Sequence, residues 1–161
     1  MRLAAGAAEI VFTWCGDRWG HRVTLHGDLV AESVEGPCQP DADPRWPAAP
    51  VLTEVLATVA AGRSVVVGVG LAGRSHFSAS IAGHPALADT LLFEIACRIQ
   101  ERPGWLGSTY RAAALADGFP APLVQIAAPV GDGALPRTIE WSYLIGPLGI
   151  RSAAGPLRSE A

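Results

Sequence analysis

The middle of the chain carries its clearest structural signal: SVVVGVGL at residues 64–71, AGR at 72–74 and SHFSASI at 75–81. The first part is rich in valine, the second holds a glycine, and the third alternates between polar and apolar residues. β-Branched and aromatic residues on both sides of a short glycine turn are typical of an antiparallel hairpin. We therefore predict two paired strands here.

The second strand of this hairpin has two chemically different sides. Because side chains alternate along a strand, one side holds Phe77, Ala79 and Ile81, and the other holds His76, Ser78 and Ser80. Arg74, at the turn, can bind an anion, and His76 can serve as hydrogen-bond donor, acid or base. The polar side is our first candidate binding surface, although a solvent-exposed strand gives the same alternation.

Alternating segments and turn signals extend this β pattern along the chain. Further strands are predicted at 9–14, 21–25, 29–35, 90–100, 105–111, 123–128 and 138–145. Eight or nine short strands with such connections are typical of an antiparallel β-sandwich or an irregular barrel. We predict an all-β protein with a single domain at 1–145 and a partly ordered tail at 146–161.

One segment fits two structures. The apolar residues of 51–61 fit a helical stripe that begins after Pro50 and ends at Gly62. The β-branched content of the same segment favours a strand. We predict one short helix at 51–61, with a strand as the alternative.

Two glycines, Gly68 and Gly70, interrupt the valine-rich strand. Glycine weakens the interior of a strand, so the pair indicates a bulge or room for a bulky neighbour such as an indole. Without a third glycine and a following helix, the pair does not predict a nucleotide site.

The composition excludes several kinds of chemistry. The chain has no lysine and no asparagine, which rules out a Schiff-base lysine, a lysine-containing phosphate loop and N-glycosylation. The net charge is −3 and the arginines are scattered, so no basic footprint for nucleic acid is present. The first eight residues are too weakly apolar for a signal peptide, and no apolar run approaches roughly 18 residues.

These observations set our expectations for location and partners. We predict a cytoplasmic protein with no cofactor, no nucleic-acid partner and no membrane partner. The hydrophobic fraction of 50% and the charged fraction of 17% also allow a homo-oligomer that covers part of the surface.

A second group of polar residues surrounds the first two predicted turns. Cys15, Asp17, His21 and His26 are ligand types that suit zinc, but their spacing matches no closed Cys/His site. A metal-binding domain built on Cys15, His21 and His26 remains an alternative, and no metal is predicted.

The tryptophans divide into two predicted groups. Trp14 and Trp141 lie on apolar strand faces and are predicted to pack in the core. Trp19 and Trp105 lie at predicted turns, where a large ring with one polar atom can line a binding surface.

No set of catalytic residues can be assembled from the sequence. We therefore favour a binding or assembly module for a protein or small ligand, with its surface formed by Arg74, His76, Ser78, Ser80, Trp19 and Trp105. The alternative is a small hydrolase in which His76 is the base beside a carboxylate from a distant strand, Glu94 or Glu140.

Overall fold

The computed structural model describes residues 1–36, 43, 45–113 and 121–153, which form two antiparallel sheets. The strands are β1 (Arg2–Ala5), β2 (Ala8–Trp14), β3 (Trp19–Leu25), β4 (Asp28–Ser33), β5 (Glu54–Ala60), β6 (Arg63–Ala72), β7 (Ser75–Gly83), β8 (Leu91–Ile99), β9 (Gly107–Ala112), β10 (Leu123–Ala127), β11 (Arg137–Gly146) and β12 (Gly149–Ser152). No helix occurs in these described ranges. The all-β prediction is confirmed.

Each sheet has six strands. The first sheet has the order β1-β2-β3-β4-β9-β10, and the second has the order β12-β11-β8-β7-β6-β5. The chain builds a four-stranded meander in each sheet, returns to the first for β9 and β10, and ends in the second. The result is a sandwich-like arrangement of two separate sheets. It has more strands than the eight or nine predicted, because β1 and β12 were not predicted and the segment of β5 was predicted as a helix with a strand as the alternative.

The central hairpin forms as predicted. β6 and β7 pair antiparallel with Ala72 opposite Ser75, which leaves Gly73 and Arg74 as the turn. Gly73 has a φ of 56°, a left-handed conformation that glycine adopts without a steric penalty.

The predicted helix at 51–61 is wrong, since β5 occupies Glu54–Ala60 and pairs with β6. The two residues between them, Ala61 and Gly62, have φ values of 50° and 74°. Two positive φ values in a two-residue connection are the type I′ geometry that hairpins favour. Because the backbone of this segment pairs with β6, its β-branched residues lie in a sheet, where they are favoured, and the segment forms a strand and not a helix.

Gly68 and Gly70 make room for the segment that precedes β5. A Cβ on Gly68 would lie 3.0 Å from the Leu52 side chain, and one on Gly70 would overlap the backbone carbonyl of Val51. The register of β6 with both neighbours is unbroken. The two glycines therefore accommodate residues 51–53 rather than an indole or a bulge.

The core lies between the sheets and comes from alternating strand positions. Its buried residues include Ile10, Phe12 and Val23 of the first sheet and Phe77, Ile81 and Phe93 of the second. Cys97 is fully buried, and burial raises the pKa of its thiol to about 12. This cysteine packs as a small apolar side chain.

The predicted tail contains one further strand. β12, Gly149–Ser152, pairs with the end of β11 through a register that places Ile145 opposite Ile150. Residues 154–161 of the predicted tail lie outside the described residues.

Candidate functional site

The outer side of the second sheet brings the polar residues of the central hairpin together with residues from three other strands, β5, β8 and β11. The register aligns two rows of outward side chains, Glu54–Val69–Ser78–Ala96–Glu140 and Leu56–Val67–Ser80–Glu94–Ser142. A third row is Leu71–His76–Arg98–Thr138. We call these fourteen residues the serine face.

Burial confirms which side of β7 looks outward. Ser75 is buried, whereas His76 and Ser78 are exposed. On the neighbouring strand, Val69 and Leu71 are 49% and 54% exposed. The serines therefore lie beside a stripe of solvent-exposed apolar side chains contributed by β5 and β6.

A cleft of about 630 Å³ lies on the serine face, and we call it the serine cleft. Small and acidic side chains from β7, β8 and β11 line it, namely Ser78, Ser80, Glu94, Ala96, Glu140 and Ser142. The alternate residues Ala79, Ile95 and Trp141 of the same strands also border it. Ile126, Ala127 and Pro129 also line it. Because the central side chains are small, the face has a hollow there that a ligand group can enter.

The cleft contains two carboxylates on adjacent strands. Glu140 lies opposite Ala96, and Glu94 is two residues from Ala96 on β8. Such diagonal neighbours have Cα atoms about 7–8 Å apart. The sequence alone did not indicate an acidic pair on one strand face, because the pair depends on the register between β8 and β11.

Five polar side chains of the cleft have no hydrogen-bond or ion-pair partner among the described residues. The hydroxyls of Ser78, Ser80 and Ser142 form no hydrogen bond to another described residue, and neither do the carboxylates of Glu94 and Glu140. Their donors and acceptors are thus open to water or to a ligand.

His76 does not lie beside a carboxylate. Its cross-strand neighbours on the two sides are Leu71 and Arg98. Glu94 lies opposite Ser80, four residues further along the strand. Among the described residues, the base–carboxylate pair that the hydrolase alternative requires is not formed.

Arg74 is exposed at the turn that precedes β7. It lies at the end of the strand that carries His76, outside the serine cleft. Arg74 and His76 are two residues apart at the same end of β7.

The tryptophans predicted at turns pack against the core instead of lining the serine cleft. Trp19 is half-buried, with its ring 5.6 Å from that of Trp14 in an edge-on arrangement. The Trp105 indole donates a hydrogen bond to the carbonyl of Ala48 at 3.3 Å. Trp141 is buried as predicted, but Trp14 is 47% exposed because it ends β2 at the rim of the sheet.

A chain of hydrogen bonds crosses the interior between the sheets. His21 Nε2 is 2.8 Å from the Tyr110 hydroxyl, which is 2.7 Å from the Tyr143 hydroxyl. Burial lowers the pKa of His21 to about 4 and raises the pKa of Tyr143 to about 12. All three groups are therefore neutral near pH 7, and His21 is a half-buried residue whose ring lies against Phe12 and Phe93 at the margin of the core.

The remaining residues of the second group stay apart. The Cys15 thiol donates to the carbonyl of Thr13 at 3.5 Å, and Asp17 forms an ion pair with Arg18 at 2.6 Å. His26 lies in the turn at the other end of β3. Within the described ranges, no three His, Cys, Asp or Glu side chains are grouped as metal ligands.

One half-buried carboxyl was not singled out from the sequence. Ser33 donates a hydrogen bond to Glu35 Oε1 at 2.6 Å and accepts one from the His21 backbone N–H at 2.8 Å. Burial raises the pKa of Glu35, and the Ser33 hydrogen bond opposes that shift. This carboxyl follows β4 in the first sheet, apart from the serine face.

Comparison of the chain with family models, with curated proteins and with solved structures finds no match. Across the described ranges there is no helix that has the length and apolar character to cross a membrane. The chemistry of the serine face is therefore the basis for assigning a function.

Proposed function

We propose that this protein is a non-enzymatic binding module and that the serine cleft takes a polypeptide segment carrying arginine or lysine. The observation that supports this most is the set of open polar groups on one face. Five polar side chains there, Ser78, Ser80, Ser142, Glu94 and Glu140, lack partners among the described residues.

The two carboxylates specify the charge of the partner. Glu94 and Glu140 are diagonal neighbours on one face, and like charges so placed repel each other. Arg98, one row away, forms no ion pair with a described residue. A guanidinium or ammonium group in the cleft would relieve the repulsion and donate charge-assisted hydrogen bonds to the two carboxylates.

The residues around the cleft indicate the size of the ligand and the side on which its apolar residues would bind. Its volume of about 630 Å³ lies within the range of ligand sites, which is about 300–1,000 Å³. Val67 and Val69, 36% and 49% exposed, lie beside the serines. Three strand spacings separate Val67 from Ser142, about 14 Å. A short extended peptide with apolar residues at one end and basic residues at the other matches this span.

We also infer that the protein works in the cytoplasm. The support is that Cys15 and Cys97 are both free thiols, as is usual in a reducing compartment.

Fluorescence anisotropy with labelled peptides tests the proposal. One octapeptide has leucine in its first half and arginine in its second, and its counterpart has glutamate in place of arginine. We expect the arginine peptide to bind and the glutamate peptide not to. The double variant Glu94→Gln/Glu140→Gln should bind about tenfold more weakly, since each lost charged contact contributes about 0.7 kcal/mol.

A matched double variant separates the cleft from the charge of the whole molecule. Glu9→Gln/Glu32→Gln removes the same two charges from the first sheet, where both carboxylates are ion-paired. Its affinity should stay within about twofold of the parent protein. Equal weakening in both double variants, or no binding of the arginine peptide, would contradict the proposal.

A further inference from the structure

The four strands at the sheet edges are not equally protected. β1 and β12 have four residues each and carry Arg2 and Arg151. β10 has five residues and lies between Pro122 and Pro129. β5 has seven residues, and the stretch 55–62 contains neither a charged residue nor a proline. Short length, charge and proline are the devices that keep edge strands from pairing. β5 is the longest of the four edge strands, has no proline, and carries a charge only at its first residue, Glu54.

β5 also exposes apolar side chains on both of its sides. Leu56 and Val59 are 63% and 69% exposed, and they point to opposite sides because they are three residues apart in a strand. Only Val55 of the seven residues is half-buried. A further strand beyond β5 would contact these apolar side chains on both sides of the sheet and reduce their exposure.

We propose that a second copy of this chain adds that strand, with β5 pairing antiparallel to β5 about a two-fold axis at Ala57. The two second sheets, of six strands each, then form one continuous sheet. In this register, Val55 lies opposite Val59 of the second copy, and Leu56 lies opposite Thr58. Apolar and β-branched pairs of this kind stabilise antiparallel strands.

The charges at the two ends of β5 favour a second copy over an unrelated strand. In the proposed register, Glu54 lies opposite Ala60 of the second copy, and Ala60 is paired in turn with Arg63. Glu54 and the second copy's Arg63 are thus on the same side of the sheet, two strands or about 10 Å apart. Both are exposed, and neither has an ion-pair partner among the described residues. The two Glu54 residues lie about 20 Å from each other.

The pairing has a consequence for the serine face. A two-fold axis perpendicular to the joined sheet leaves both serine faces on the same side. The dimer therefore presents two serine clefts in one direction, which raises the avidity for a partner with two binding segments. The dimer itself does not depend on what the cleft binds.

Light scattering after gel filtration, over loading concentrations from about 1 to 300 μM, tests the proposal. We expect the mass to rise from 16.7 kDa toward twice that value. Val59→Lys should weaken association at least about tenfold, because a lysine on an edge strand opposes pairing. Leu123→Lys, at a residue 56% exposed on the other sheet's edge, should leave it unchanged.

Charge reversal tests the register. Glu54→Arg and Arg63→Glu should each weaken association about fivefold, since each affects two exposed pairs. The double variant Glu54→Arg/Arg63→Glu should restore it. Circular dichroism spectra and urea midpoints, measured at about 1 μM where the chain is monomeric, should be the same for all variants, because the substituted side chains are exposed and association adds no stability at that concentration. A monomer at every concentration, equal effects of the two lysine variants, or no rescue by the double reversal would overturn the proposal.

Discussion

The outer surfaces of the two sheets differ in what their charged residues contact. On the first sheet, Arg22 and Arg111 both contact Glu32, at 2.7 Å and 3.7 Å, and Arg2 contacts Glu9 at 3.0 Å. On the serine face, the charged side chains form no ion pair with any described residue. The apolar residues Leu56, Val67, Val69 and Leu71 are exposed beside them.

On the first sheet the charged groups are paired with one another, whereas on the serine face the polar groups are free to bind a ligand. Exposed ion pairs contribute little to stability, about 0–1 kcal/mol each, so the first sheet gains little from its pairs. The charged side chains of the first sheet nevertheless form ion pairs with one another. The serine face keeps carboxylates, hydroxyls and apolar groups together with no internal partner, which is the combination found in binding surfaces.

The largest expected effect comes from removing the support beneath the serine face. Gly70→Ala places a Cβ against the backbone of Val51 and Thr53, and backbone cannot move aside as a flexible side chain can. We expect the free energy of unfolding to fall by about 3 kcal/mol or more. Urea denaturation measures this. In the control Gly131→Ala, the nearest atom is 4.0 Å from the new Cβ, so the midpoint should not change; similar midpoints for both variants would contradict the explanation.

The second-largest expected effect is a pH dependence of stability that arises from His21. This residue of the first sheet is connected to Tyr143 of the second sheet by hydrogen bonds through Tyr110. The pKa of His21 falls from 6.5 to about 4 on burial. Between these pH values the unfolded chain binds a proton that the folded chain does not, so stability falls as pH falls through this window. The expected loss is about 2–3 kcal/mol.

Urea unfolding at intervals from pH 7.5 to pH 4 measures this slope in the parent and in His21→Gln. The difference between the two curves removes the contributions that both share, including Glu35, whose raised pKa acts in the opposite direction. We expect the variant to have the shallower pH dependence. Parallel curves would mean that His21 is not buried as a neutral group.

The smallest effect compares the charges of the two surfaces directly. Glu32→Gln breaks contacts with two arginines and should cost about 0.5–1 kcal/mol at low salt, less in 0.5 M NaCl. Glu140→Gln breaks no ion pair with a described residue and removes repulsion with Glu94, so stability should stay the same or rise by a few tenths of a kcal/mol. Equal losses for the two variants would remove the distinction between the surfaces.

Most of the fold could be predicted because most strands carry a local signal. The alternation in β7 and β8 repeats every two residues over nine residues, which favours a strand, although the segment of β8 also fits a helical stripe. β1 and β12 have only four residues each, too few for a periodic pattern. β5 fits both periods, and its pairing with β6 decided between them.

The candidate site was predictable only in part. The outward direction of Ser78 and Ser80 followed from alternation within one strand. The pairing of Glu94 with Glu140 required the register between β8 and β11, which no local pattern contains. Trp19 and Trp105 were assigned to the surface from their position near turns, but packing against the core decided their place.

The hydrogen-bonded row of His21, Tyr110 and Tyr143 joins residues from both sheets. If either sheet slid by one residue, at least one hydroxyl or imidazole would lose its partner in an apolar interior, at a cost of about 1–3 kcal/mol. Hydrocarbon packing alone tolerates many alignments of two layers. The hydrogen bonds of this row are satisfied in only one of these alignments, and they therefore determine the position of one sheet relative to the other.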